Sequence, residues 1–216
     1  MKITLADLSP AQRYHITSSL VVPRPIAWVT TLNEDGSVNA APFSYFQLMG
    51  ENPPLVVLGI GRRNDGEPKD TVKNIRRTRE FVINLVTEEN AGAMNLCATD
   101  FPPGMSEVAT LKLATEPSSV VQTPRLAVSP ANFEAREMQT LLIGGNQIIM
   151  GELLVAHVRD EFIDAKTLRI RTDEMHMIGR LQGGGGGYTR TRDHFEIKRL
   201  TYEEWQSQPQ SFQTSQ

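Results

Sequence analysis

Apolar residues fall into short runs separated by polar, glycine- and proline-rich punctuation, and the runs have the length of strands. Ile26 to Leu32 predicts a strand, Asn33 to Gly36 a polar turn, and Val38 to Phe43 a second extended run. After the Pro53-Pro54 break, Leu55 to Ile60 predicts a third strand, so Arg24 to Ile60 reads as a small β-meander. Further strands are expected at Phe81 to Val86, at Ala131 to Gln139 and, after the Gly144-Gly145 turn, at Ile148 to Val158. Val120 to Val128, interrupted by Thr123-Pro124, predicts an edge or connecting strand. Ser9-Pro10 places a cap and a first-turn proline before a short helix, and Val21 to Pro25 straightens the chain into the first strand. Helices are also expected from Asp70 or Thr71 toward Phe81, from Glu88 to Ala98, and briefly from Ser106. Phe162 to Ile170 reads as a loop or a short helical piece. The chain is thus mainly β with peripheral helices, one domain over residues 1–205, followed by a Gln- and Ser-rich tail at 206–216 expected to be disordered.

Charge narrows the possible partners. The chain of 216 residues carries 22 basic and 25 acidic side chains, a formal net charge of -3. Arg76, Arg77 and Arg79 are interleaved with other residues rather than gathered into a block, so no nucleic-acid footprint is expected. Cys97 is the only cysteine, which excludes an intrachain disulfide and fits a reducing cytoplasm. No run approaches the ~18 apolar residues of a membrane helix, and the amino terminus lacks a continuous apolar segment. A soluble, untargeted, cytoplasmic protein is expected.

Two places carry candidate chemistry. Asn39-Ala-Ala-Pro-Phe-Ser-Tyr-Phe46 combines small residues, polar edges and flat faces, and reads either as a corner for a planar ring or as an ordinary strand end with its loop. Lys69, Asp70 and Thr71 open a helix, where exposed N–H groups, a cation and a hydroxyl make an anion seat. The alternative is a plain capped surface helix with a solvated lysine. Dinucleotide, P-loop and zinc-protease motifs are absent, and His15, His157, His176 and His194 lack metal-ligand spacing. His157, in an apolar strand, reads as a structural histidine, whereas His176 stands near the run of five glycines from Gly183 to Gly187. That run is a flexible connector or a backbone-only contact surface, and Tyr188 beyond it is placed to cover a site.

Arg24 to Thr31, Asn39 to Phe46, Asn52 to Val56, Lys69 to Thr71 and Gly179 to Leu181 together resemble the flavin reductase-like family, and most of all its flavoredoxin-type members. The resemblance covers about residues 14 to 200 and implies a Greek-key split β-barrel, a homodimer, and FMN in a groove between subunits. It implies Thr30 and Thr31 near the ribityl chain or ring edge, and Asn39, Ala41, Pro42, Phe43 and Ser44 at the isoalloxazine. It places Lys69, Asp70 and Thr71 at the phosphate. Arg180 would reach the phosphate, a nicotinamide cofactor or solvent. The glycine run is longer than the family's usual segment, which leaves the substrate entrance open. No side chain is singled out as a catalytic acid, base or nucleophile, because the flavin carries the chemistry. The expected activity is NADH- or NADPH-dependent reduction of FMN, with electrons passed to an acceptor, a redox partner or a monooxygenase. The alternatives are an electron carrier without nicotinamide chemistry, or a barrel that binds flavin or another ligand without turnover.

Overall fold

The computed structural model describes residues 1–207, and the first strand explains its plan. In β1 (Ala27–Leu32) the residues from Ala27 to Thr31 are buried on both faces, so layers must cover it on either side. Before it comes α1 (Pro10–Leu20), where Ser9 Oγ accepts from the Gln12 N–H and the Gln12 side chain accepts from the Ser9 N–H. After it come β2 (Val38–Phe43), β3 (Phe46–Glu51), β4 (Pro54–Ile60), α2 (Asp70–Thr78), β5 (Glu80–Leu85), α3 (Ala91–Leu96) and α4 (Glu107–Thr110). The remainder adds β6 (Thr115–Glu116), β7 (Arg125–Leu126), β8 (Ala131–Ile143), β9 (Asn146–Val158), β10 (Ile178–Arg180), β11 (Tyr188–Arg190) and α5 (Tyr202–Ser207).

Seven strands form one antiparallel sheet in the order β2-β1-β5-β8-β9-β4-β3. The sheet curls on itself: after Phe43 the chain leaves β1, and at Tyr45 its carbonyl accepts from the Gly59 N–H of β4 at 2.7 Å. One bent segment, residues 38–51, therefore supplies both edge strands, β2 against β1 and β3 against β4, and closes the barrel. Inside lie Ala27, Val29, Phe43, Leu58, Ile60, Ile83 and Ile149, with Val72 and Ile75 of α2 plugging one end. Phe81 fills the space above Gly151, where a Cβ would stand 2.5 Å from its ring. The opposite faces of β1 and β2 contribute Ile26, Trp28 and Ala40 to a second core beneath α3, α4 and the β10–β11 hairpin, with Met94, Cys97, Val108 and Ile178.

Several elements depart from the sequence expectation. Phe46 to Glu51, where no strand was expected, is a strand; its side chains are mostly exposed, so no burial alternation marks it. Val120 to Val128 is mostly loop, with only Arg125–Leu126 (β7) ordered as strand against β6, because residues 119–121 turn their N–H groups onto Glu134 instead of onto a neighbouring strand. The helix expected from Glu88 to Ala98 is confined to α3, since Asn90 Oδ1 takes the Thr87 N–H in a turn ahead of it. Gln206 and Ser207 form the end of α5, and the rest of the expected tail, 208–216, lies outside the described residues.

Candidate functional site

β2 lies at the edge of the sheet, and its outward backbone groups must find other partners or remain open. The register with β1 turns Val38, Ala40 and Pro42 to the free side, and Ser44 follows just beyond the last pair. α4 covers the first half: Ser106 Oγ donates to Val38 O at 2.6 Å, and the Ala40 N–H donates to Glu107 Oε2 at 2.9 Å. Beyond Ala40 the cover ends. Pro42 has no N–H to satisfy, which suits an edge position. The Ser44 N–H meets no acceptor among the described residues. The open half of the edge thus offers carbonyls and one N–H to whatever lies beside it.

α2 begins at one end of this edge. Its N-cap is Lys69, whose side chain cannot accept a hydrogen bond, rather than Asp70 or Thr71 as expected from the sequence. Val72 and Lys73 bond back to Lys69 O, but the N–H groups of Asp70 and Thr71 meet no acceptor among the described residues. The Asp70 carboxylate turns away, accepting from the Gly104 N–H at 2.9 Å and lying 3.6 Å from Lys73 Nζ. Thr71 Oγ1 accepts from Asn39 Nδ2 at 3.0 Å, and Asn39 Nδ2 also donates to Thr31 Oγ1 at 3.2 Å. Asn74 completes the network, donating to Thr31 Oγ1 and Asn33 Oδ1 at 3.0 and 2.8 Å.

The far end of the edge is built around Arg24. Its buried guanidinium donates to Ser18 O, to Val21 O at 2.9 Å and to Ser44 Oγ at 3.4 Å. Its backbone pairs with Arg180 of β10. Arg180 in turn lies over the Tyr188 ring at 4.8 Å, and Tyr188 O–H donates to Asn95 Oδ1 at 3.0 Å. The five-glycine run is the turn of this hairpin. A side chain at Gly183 would collide with Ser18 and Tyr14 of α1, so the run is tied down at its first residue.

Between these ends lies a cavity of about 330 Å³, within the range of roughly 300–1,000 Å³ common to small-molecule sites. Asn39, Ala41, Pro42, Phe43, Ser44, Lys69, Asp70, Thr71 and Arg180 all line it. Thr30 and Thr31 do not. They are fully buried in β1, where Thr30 Oγ1 donates to Pro124 O at 2.8 Å and Thr31 Oγ1 receives the two amides described above.

Three lining groups escaped the sequence reading. Arg63 reaches the cavity from the loop before α2, held by Phe101 O at 3.1 Å with Asp65 and Asp100 carboxylates 3.8 Å away. The stretch from Met94 to Phe101 supplies most of another wall. Glu107 is the third. Burial pushes its carboxyl above the usual range, the N–H of Ala40 pulls it down, and the Asp70 carboxylate nearby adds to the rise. Its contact with Ala40 spans 67 positions, a separation no local pattern reports. Cys97 also lines the cavity, but burial pushes its thiol up to about 12, so it is an inert wall rather than a nucleophile.

The remaining sequence candidates lie elsewhere. His157 Nε2 stands 2.5 Å from Glu134 Oε1, a structural contact between β9 and β8. His176 is exposed, in the left-handed region with φ of 49°, and does not line the cavity. Among the described residues no group of His, Cys, Asp and Glu is arranged to hold a metal ion, and no helix is long and apolar enough to cross a membrane.

Comparison with known proteins agrees with this architecture. A protein of Deinococcus radiodurans is 46% identical over 212 residues, covering 96% of this chain and 93% of its own. The 2-nitrobenzoate 2-nitroreductase NbaA of Pseudomonas fluorescens superimposes with a TM-score of 0.85 at 35% identity, over 94% of this chain and 98% of that one. Nitrilotriacetate monooxygenase component B of Bacillus cereus gives a TM-score of 0.86 at 28% identity, over 91% and 98%. The flavin reductase like domain matches residues 18–178, the span that holds the barrel, α2 and most of the cavity wall, and the chain belongs to that family.

Proposed function

We propose that the cavity holds FMN and that the protein is an oxidoreductase using NADH or NADPH to deliver electrons through it to an acceptor. The observation that carries this reading is the uncapped start of α2 facing the same cavity as the open half of the β2 edge. An anion seat and a hydrogen-bonding face for a flat heterocycle are thus joined by one strand.

The donor set fits the cofactor. The free N–H groups of Asp70 and Thr71, the Thr71 hydroxyl and the Lys69 ammonium suit a phosphate at a helix N-terminus. Asp70 contributes only its N–H, since its carboxylate is engaged with Gly104 and Lys73. Ala41, Pro42, Phe43 and Ser44 present backbone to the ring, with the Ser44 N–H as donor and edge carbonyls as acceptors. Thr30 and Thr31 act at one remove, fixing the strand and the Asn39 amide from behind. FMN supplies the capacity to take hydride from a reduced nicotinamide and pass electrons on; the chain binds, orients and shields it.

A homodimer is part of the same reading, as is a cytoplasmic place. Leu48 and Met49 on β3, and Met138, Leu141, Leu142 and Ile143 toward the β8–β9 turn, are large, apolar and exposed, a pattern that fits a second copy of the chain. The named relatives suggest two classes of acceptor, a nitroaromatic acid such as 2-nitrobenzoate, or a monooxygenase of which the protein would be one component. Arg180, a cation lining the cavity, favours an acceptor or donor bound there.

The test is direct. The protein should titrate with FMN to a stoichiometric complex with perturbed flavin absorbance, and stopped-flow mixing with NADH or NADPH should bleach it. No bleaching by either nucleotide, with rapid reduction by a protein donor, would leave an electron carrier instead. Failure to bind FMN at all would overturn the site.

A further inference from the structure

The two ends of the cavity are too far apart to serve one anion. Asn39, bonded to Thr71, marks one end, and Ser44, bonded to Arg24, marks the other. Five extended residues at ~3.3 Å each separate them by roughly 16 Å. A phosphate on the α2 N-terminus therefore has Lys69 beside it and leaves Arg180 at the opposite end.

Arg180 is positioned there with some care. Its N–H and carbonyl are both paired with Arg24, at 2.8 and 3.0 Å. The guanidinium rests on Tyr188, whose hydroxyl is anchored by Asn95, so the platform beneath the cation is itself held. Five of the seven residues joining β10 to β11, Gly183 to Gly187, carry no side chain. The nearby cations at Arg190 and Arg192 share the Glu88 carboxylate, at 2.7 and 2.6 Å, and so are held away from the cavity. Arg180 makes no side-chain hydrogen bond or ion pair among the described residues, although it is partly buried and lines the cavity. A planar, stacked and unpaired guanidinium is a fork for a carboxylate or a phosphate.

We propose that Arg180 on its Tyr188 platform recognises an oxyanion of the second substrate, the molecule that shares the cavity with the cofactor. The assignment of a second substrate rests on the FMN reading above; the oxyanion seat itself does not. Carboxylate on an aromatic acceptor and diphosphate on a nicotinamide donor share this chemistry, and binding measurements separate them.

FMN-loaded protein is titrated with benzoate, with its neutral isostere benzamide, and with ADP-ribose, following the bound-flavin spectrum and the heat of binding. At least one of the two anions should bind more tightly than benzamide. Arg180→Gln should weaken that anion by about 10- to 100-fold, the loss expected for charge-assisted hydrogen bonds, with benzamide and FMN affinities unchanged. Arg180→Lys should restore only part, because it keeps the charge and loses the fork. An effect on benzoate assigns the seat to the acceptor, and an effect on ADP-ribose assigns it to the donor. Absence of anion binding, equal anion affinity in wild type and Arg180→Gln, or loss of FMN from Arg180→Gln would overturn the proposal. Calorimetry on unloaded protein keeps the two readings apart: an Arg180-dependent anion site without FMN binding would sink the cofactor and retain the seat.

Discussion

Glu134 shows what a single enclosed acid does for this barrel. It is fully buried, accepts from the N–H groups of Ser119, Val120 and Val121 at 2.6, 2.7 and 3.0 Å, and lies against His157. Burial pushes its carboxyl up, but His157 and these N–H donors outweigh that and bring it down to about 2. A depressed carboxyl stabilises the fold above its unfolded value, near 4.5, and the contribution disappears as pH falls through about 2. Urea unfolding of wild type and Glu134→Gln should therefore differ most at neutral pH, with the gap narrowing between pH 4.5 and 2; a constant gap would mean that the charge is immaterial. At the cavity, Lys69→Gln removes a cation from the phosphate seat, and fluorescence titration should show FMN binding weakened by ~10- to 100-fold. Thr71→Val should cost less, ~3- to 10-fold, because it removes a hydroxyl, together with its bond to Asn39, but leaves the charge and the N–H groups of the seat in place.

At the scale of elements, the glycine beneath Phe81 is the sharpest constraint. Gly151→Ala places a methyl against a ring wedged inside the barrel, and thermal or urea unfolding should show a loss of ~1–3 kcal/mol, in line with overpacking elsewhere. The elements also show what the sequence makes legible. β1, β2, β4, β5 and the β8–β9 hairpin were readable because β-branched and apolar runs end at clear turns, and Ser9, Pro10 and Ser106 announce their helices. β3 was not, because exposed Leu48 and Met49 carry no inward-outward alternation. The lone acid Glu107 gave no signal because only the folded chain brings it to Ala40. The wall formed by Asn39 to Ser44 with Lys69 to Thr71 could be anticipated, since strand ends and helix starts carry local signatures. The burial of Thr30 and Thr31 could not, because it depends on layers supplied by α2 and the 118–126 loop.

For the whole molecule, the exposed apolar residues of β3 and the β8–β9 turn predict self-association. Sedimentation should report a dimer, and Ile143→Glu combined with Leu142→Glu should shift it to monomer while the circular dichroism of the barrel is retained. If the second copy completes the groove, the monomeric variant should also bind FMN more weakly; unchanged affinity would place the cofactor within one chain.

The bent segment from residue 38 to 51 closes the barrel through Tyr45 and at the same time forms the cavity wall from Asn39 to Ser44. Occupancy and folding are consequently linked: a ligand that pairs with the β2 edge binds only the closed form and subtracts from the population in which that seam opens. Saturation at a hundred times Kd should add about 2.7 kcal/mol to unfolding. Amide exchange offers a finer reading, since the Gly59 N–H, which reports the seam, should slow on FMN binding along with the Ser44 N–H. The lock of the barrel would then also register whether its site is filled.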